Sequence, residues 1–198
     1  MRTKTWGKLL LFISIALIFI PACESKSKIK GERLEIQKNS LNSHIGEEFQ
    51  IENILDTAGK IIKLDFTKSE ITIIDFWFNG CPPCIKEMKQ FAEILLGKDK
   101  KISVISISIN RFSVWKKTLI EHTGRFAFLS ESVRNWKHYN LQSMEDEKLK
   151  NDVPADNQDK IEKIFNVTFF PAFFVVDKDG IIKSRPVSAV DFIKQNLY

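Results

Sequence analysis

An α/β fold, with a central mixed β-sheet flanked by helices, is predicted for this 198-residue chain by three observations. Ile71 to Phe78 is an apolar, β-branched run, as expected of a central strand covered on both faces. From Pro82 onward Ile85, Met88, Phe91-Ala92 and Leu95 recur at helical spacing, with Lys86, Glu87, Lys89, Gln90 and Glu93 on the other face. Ile102 to Ile109 is a second buried strand in which Ser alternates with Val and Ile. A strand–helix–strand order with buried, parallel-style strands points to an α/β sandwich. At 43% hydrophobic content, 198 residues suffice for one well-buried domain.

The N-terminal residues stand apart from that domain. Arg2, Lys4 and Lys8 precede the apolar run Leu9 to Ile20, broken by Ser14, and Ile20-Pro21-Ala22-Cys23 follows. A positive start, a short apolar stretch and a small residue before a cut predict a signal peptide over 1–22. The alternative is a membrane anchor helix, against which polar Glu24-Ser25-Lys26 follow at once. Ile20-Pro21-Ala22-Cys23 resembles the lipobox of bacterial lipoproteins, with Pro21 an unusual neighbour. That resemblance implies lipidation of Cys23 and a chain anchored in the bacterial cell envelope, facing the periplasm. Without lipidation Cys23 is a free thiol in a discarded or anchoring peptide.

Loss of Arg2, Lys4 and Lys8 takes the net charge from +5 to +2, so the basicity belongs mostly to targeting. No interleaved basic and aromatic patch supports a nucleic-acid partner. Export leaves the mature body with Cys81 and Cys84 as a lone thiol pair in an oxidising compartment.

The remaining elements follow in order. Residues 23–44 are rich in Lys, Ser, Gln and Asn and are expected to be a flexible tether. The domain is expected over 45–198. Phe49, Ile51 and Ile54-Leu55 against Ile61-Ile62 and Leu64 predict an N-terminal β-hairpin extension turning at Asp56-Thr57-Ala58-Gly59. Pro82 and Pro83 suit a first helical turn, and Gly97 suits its end. Phe112 to His122 is a predicted helix and Arg125 to Leu129 a short extended piece. Residues 131–159 are charged, almost wholly polar from Met144 to Gln158, and are expected to be a surface insertion, with Trp136 and Tyr139 as candidate anchors. A short helix over Lys160 to Phe165, a strand over Val167 to Val176, a hairpin turn at Asp177-Lys178-Asp179-Gly180, a return strand at Ile181-Ile182 and a helix over Ala189 to Leu197 complete the chain.

Two cysteines separated by two residues can be a zinc half-site, a structural staple or a redox pair. Zinc needs further ligands, and His44, His122 and His138 are scattered without metal-like spacing, so no metal is expected. A staple at i, i+3 closes too small a loop to stabilise much. Redox work fits the surroundings. Cys81 sits where a strand hands over to a helix, where orphan N–H groups and the helix dipole favour its thiolate. Cys84, one turn in, can resolve a mixed disulfide formed at Cys81. Asp75 lies within Ile73-Ile74-Asp75-Phe76-Trp77, where a carboxylate is costly without a role. It is read as a buried acid with a raised pKa that passes a proton to or from Cys84, the alternative being an ordinary edge carboxylate.

Asp75-Phe76-Trp77 followed after three residues by Cys81-Pro82-Pro83-Cys84 resembles the active-site strand and motif of thioredoxin. Phe170-Pro171-Ala172-Phe173-Phe174-Val175-Val176-Asp177-Lys178-Asp179-Gly180 is similar to the family's cis-proline strand and following hairpin. The likeness runs from about Ile45 to Tyr198 and is greatest to the membrane-anchored TlpA/ResA-type thiol–disulfide oxidoreductases, in the redoxin branch near the alkyl hydroperoxide reductase proteins. It implies a thioredoxin-like fold, a redox-active Cys81–Cys84 disulfide with no other cofactor, and a cis bond at Pro171. It also implies that Phe170, Pro171, Trp77, Gly80 and Pro82 meet partner proteins carrying dithiols or disulfides. A membrane thiol donor and action as a reductant are implied as well. The sequence departs from the family at Gly80, where an aromatic is usual, and at Phe170, where Thr or Val is common. The peroxidase pattern Pro-x-x-x-Thr/Ser-x-x-Cys is absent, since Ile74 and Phe78 hold its positions. The alternative function is a dithiol metallochaperone or a client-binding protein for haem or copper assembly.

Overall fold

The computed structural model describes residues 32, 34–95, 102–130, 135–142 and 155–196. The expected signal peptide, Cys23 and Gly97 lie outside the described residues. The chain divides into two compact units, Met1–Asn39 and Ser40–Tyr198. In the first, residues 34–39 are helical. Among the described residues no helix is long and apolar enough to cross a membrane.

The second unit is built on a seven-stranded sheet. Its strands are β1 (Ile54–Leu55), β2 (Ile61–Ile62), β3 (Ile71–Trp77), β4 (Ile102–Ser108), β5 (Trp136–Leu141), β6 (Ala172–Asp177) and β7 (Ile182–Ser184). The order across the sheet is β2-β1-β5-β4-β3-β6-β7. β3, β4 and β5 are parallel, and the two edges are antiparallel. The helices are α1 (Pro82–Leu95), α2 (Phe112–Glu121), α3 (Ala155–Phe165) and α4 (Ala189–Asn196), with a 3₁₀ helix at Gly124–Ser130.

Alternation along β3 sorts the core into two layers. Ile73 and Trp77 join Cys81, Cys84, Met88 and Phe91 of the α1 side, with Trp115, Phe126 and α4 residues Val190 and Ile193. Ile74 and Phe76 face the other layer, with Phe49, Ile161, Phe165 and Phe174. That second layer is largely aromatic: Phe49 stacks on Phe165 at 4.5 Å between ring centroids and meets Phe174 edge-on at 5.4 Å. Each such ring buried contributes about 2–3 kcal/mol by area.

Both predicted turns form for the reason their residues suggest. Asp56 Oδ1 accepts from the Ala58 and Lys60 amides, and Gly59 takes a φ of +80°. Asp177 Oδ1 accepts from Asp179 and Ile181, and Gly180 takes +84°. His122 ends α2 in a left-handed conformation, its N–H on the Thr118 carbonyl.

Four expectations are corrected. The tether expected over 23–44 is helical over residues 34–42 where described, and within the second unit Ser40 is fully buried. Its hydroxyl donates to the Asn166 carbonyl, and the buried Arg185 guanidinium donates to Ser43, Ser40 and the Phe165 carbonyl. Those polar residues satisfy a cation, stacked 4.3 Å over Phe174, that has to be hydrogen-bonded once buried. The insertion expected over 131–159 contains strand β5, inside the sheet between β1 and β4, and the first turn of α3. Tyr139 and Leu141 cover one face of β5 and Trp136 the other, which its polar neighbours Lys137, His138 and Asn140 conceal in one dimension. The extended piece at Arg125 to Leu129 is part of the 3₁₀ helix, and β6 begins at Ala172 rather than Val167.

Candidate active site

Strand β3 ends at Trp77 and α1 starts at Pro82, so Phe78 to Cys81 form the junction at the C-terminal end of the parallel strands. Cys81 and Cys84 are joined in a disulfide, with Cα atoms 5.3 Å apart. Cys81 keeps 4% of its surface exposed and Cys84 none, so attack from outside can reach only the first sulfur. The Cys84 amide donates to Cys81 Sγ at 3.2 Å. The helix N-terminus therefore points an N–H at the sulfur that becomes a thiolate on reduction.

Asp75 is fully buried on the β3 face that carries Ile73 and Trp77, beneath α1. The strand registers set Ser106 of β4 and Phe173 of β6 beside it. Ser106 Oγ donates to Asp75 Oδ2 at 3.1 Å and accepts from Trp136 Nε1 at 2.9 Å, while Asp75 Oδ1 has no partner among the described residues. Burial pushes the Asp75 carboxyl up to about 8; the Ser106 hydrogen bond pulls it down and the Glu87 charge adds to the rise. Asp75 is thus mostly neutral at pH 7 in the disulfide state. Glu87 of α1 is held in place by the N-terminus of α4, accepting from Ser188 Oγ at 2.8 Å and from the Val190 amide at 3.1 Å.

The Phe170–Pro171 bond is cis. Phe170 packs against the core cluster that contains both cysteines, and its ring meets Phe78 edge-on at 5.3 Å. Gly80 and Pro82 are exposed, and Phe170 and Pro171 are partly so. Trp77 is a correction: with no exposed surface it supports the site from beneath and cannot touch a partner. The aromatic absent at Gly80 has a neighbour in its stead. A Cβ built at Gly80 would lie 3.1 Å from Phe78 Cε2, so the Phe78 ring takes the room a side chain there would need.

Sequence reasoning passed over the residues that hold the junction. The Asn79 amide donates to Asn110 Oδ1 at 2.8 Å and its side chain to Thr118 Oγ1 at 2.7 Å, while the Arg125 guanidinium takes its carbonyl. Buried Asn110 is bonded to Ser108; Asn140 Nδ2 donates to the Ser108 and Asn110 carbonyls; Asn157 Nδ2 donates to those of Ile109 and Leu141. These amides close the ends of β4 and β5 where the ladder stops. The available signal was the pair Ser106 and Ser108 within a buried strand. The asparagines came from segments separated in sequence. Among the described residues no three His, Cys, Asp or Glu side chains gather as a metal site.

Residues 45–185 match the AhpC/TSA family. The thiol-disulfide oxidoreductase ResA of Bacillus thuringiensis (strain Al Hakam) is 25% identical over 172 residues, 86% of this chain and 83% of that protein. A thiol:disulfide interchange protein from Bacteroides sp. superposes with a TM-score of 0.54 at 22% identity, covering 79% of this chain and 88% of that one. The thioredoxin domain of a thiol-disulfide oxidoreductase from Bacteroides vulgatus gives 0.52 at 21%, covering 78% and 98%. The fold is thioredoxin-like, and the chain belongs to the AhpC/TSA family.

Proposed function

We propose that this chain is an exported, lipid-anchored thiol–disulfide oxidoreductase that reduces partner proteins through Cys81 and Cys84. The oxidoreductase class rests on the family and on the similarity to ResA. The observation that carries the proposal is the disulfide at the N-terminus of α1, with its first sulfur slightly exposed, its second buried, and the Asp75 carboxyl buried on the sheet face beneath α1.

In the reduced protein the Cys81 thiolate attacks one sulfur of a partner disulfide, forming a mixed disulfide and expelling the other partner sulfur as a thiolate that takes a proton from solvent. Cys84 then gives its proton to the Asp75 carboxylate and attacks Cys81 Sγ. The partner sulfur leaves as a thiolate and takes a proton from solvent. Two electrons have passed to the partner, and the chain is left as a disulfide over a protonated Asp75, the state described above. A membrane thiol donor reverses these steps on the chain itself. The pair carries the electrons without another cofactor. Exposed Gly80 and Pro82, with Phe170 and Pro171, form the surface along which an extended partner segment pairs. Anchoring at Cys23 in the cell envelope is supported by the charged start, apolar run and lipobox-like tetrapeptide of residues 2–23.

The test is turnover of insulin disulfides by wild type and Cys81→Ser. Activity that survives the substitution ends the proposal, whereas Cys84→Ser should trap the partner as a mixed disulfide. Labelled palmitate should enter wild type and not Cys23→Ser.

A further inference from the structure

We infer that the Phe78 and Phe170 rings select the partner, and that the cysteine attacked by Cys81 has a bulky apolar side chain as its neighbour in the partner chain. The inference rests on the proposed exchange reaction and adds to it a substrate class and a residue, Phe78, that chooses it.

The β3–β6 register sets Phe76 against Ala172, so further along the same antiparallel run Phe78 comes opposite Phe170. The two rings meet edge-on at 5.3 Å between centroids. Both are partly exposed, and both pack on the two core clusters, one of which holds Cys81 and Cys84. A tight turn over 78–81 keeps the first ring close to the reacting residue: the Cys81 amide donates to the Phe78 carbonyl at 3.1 Å. The ring lies along Gly80, its Cε2 3.1 Å and its Cδ2 3.4 Å from where a Cβ at that residue would stand. A side chain at position 80 and a ring in this place exclude one another. Gly80, exposed and bare, leaves that ring edge without a side chain over it beside Cys81.

The chemistry of this surface decides what it can receive. Residues 76–85, which carry the disulfide, and 166–176, which carry the cis proline, contain no charged side chain, in a chain that is 28% charged. Pro82 and Pro83 are exposed and Pro171 partly so, which extends the apolar surface on both sides of the rings. The cation at the junction, Arg125, is engaged elsewhere, donating to the Asn79 carbonyl and lying 5.2 Å over the Phe126 ring. A charged neighbour of the partner cysteine would lose water against the two rings without gaining a counter-ion. An aliphatic or aromatic neighbour gains the area it buries. That gain is made as the partner sulfur reaches Cys81, so it enters the rate of attack. The Cys81 thiolate bonds to that sulfur, the partner S–S bond breaks, and the second partner sulfur leaves as a thiolate.

The experiment follows release of coloured thionitrobenzoate from two capped peptides, Gly-Cys-Leu-Gly and Gly-Cys-Gln-Gly, whose cysteine is joined to it as a disulfide. They are mixed with the reduced full chain carrying Cys23→Ser, which leaves Cys81 and Cys84 as its thiols. Leucine and glutamine are similar in size and neither is charged. Each rate is divided by that of the same peptide with mercaptoethanol, which removes intrinsic reactivity. The chain should prefer the leucine peptide by about tenfold, the worth of burying roughly half of a leucine side chain. Phe78→Ala and Phe170→Ala should each bring that preference to about threefold or less, and Phe78→Leu should keep the greater part of it. A ratio near one with Phe78 and Phe170 in place, or equal slowing of both peptides by Phe78→Ala, overturns the inference. The first of these results needs no ring variant to fold. Release from neither peptide overturns the exchange reaction itself, so that failure is distinguishable from a loss of selectivity.

Discussion

Asp75→Asn separates the cost of burying this acid from its use. Asp75 titrates near 8 in the folded chain against 3.8 when exposed, so the native state binds its proton more tightly than the unfolded one. The sign follows from linkage: the stabilisation is fully present below about pH 4, falls as pH rises, and is gone above about pH 8. At about 1.4 kcal/mol per unit, the four-unit rise amounts to on the order of 5 kcal/mol. Asparagine does not titrate, so the stability of wild type relative to Asp75→Asn should decline steadily over that window. At pH 4 the variant should be the less stable by about 1–3 kcal/mol, because its amide nitrogen replaces an oxygen that has no partner among the described residues. By pH 8 it should be the more stable by about 2–4 kcal/mol. Urea unfolding of both oxidised proteins between pH 4 and pH 9 measures the difference, other carboxylates cancelling in the subtraction. A difference that is flat with pH would refute the reasoning. The same variant should slow insulin reduction, since Cys84 loses its proton acceptor.

Three further outcomes follow from the geometry. Asn157→Ala should lower stability by about 2–3 kcal/mol, read by urea unfolding, because two buried strand-end carbonyls lose their donor. Gly80→Ala should cost about 1 kcal/mol in wild type and close to nothing in Phe78→Leu, since the new Cβ meets only the Phe78 ring; equal costs in both backgrounds would contradict the assigned contact. Glu87→Gln should cost about 1 kcal/mol through α4, whose N-terminus loses a charged acceptor, and should lower the Asp75 midpoint, both readable in one pH series of unfolding curves.

Much of this architecture is legible in the sequence. β3, α1, β4, the two Asp–Gly turns and the C-terminal helix show their own periodicity or turn chemistry, and local patterns of that kind need no distant partner. β5 is not legible in the sequence, because its Asn140 and Leu141 are buried by neighbours distant in sequence, β1 and β4 beside it and α3 over it. A strand with polar residues on a face closed by hydrogen bonds reads, alone, as a polar loop.

The site divides the same way. Sequence alone determined the dithiol, its place at a strand–helix junction and the acid in the strand before it, since each is a matter of residue type and spacing. Tertiary structure alone decided that Ser106 stands against Asp75 with Trp136 hydrogen-bonded behind it, that Phe78 stands where Gly80 leaves room, and that Trp77 lies beneath the site instead of lining it. It also decided that Asn79 is bound from Asn110, Thr118 and Arg125. The hydrogen bonds among them join residues 30 to 46 positions apart, and strand register and helix packing bring those residues together. Protonation of Asp75 depends on the burial they create.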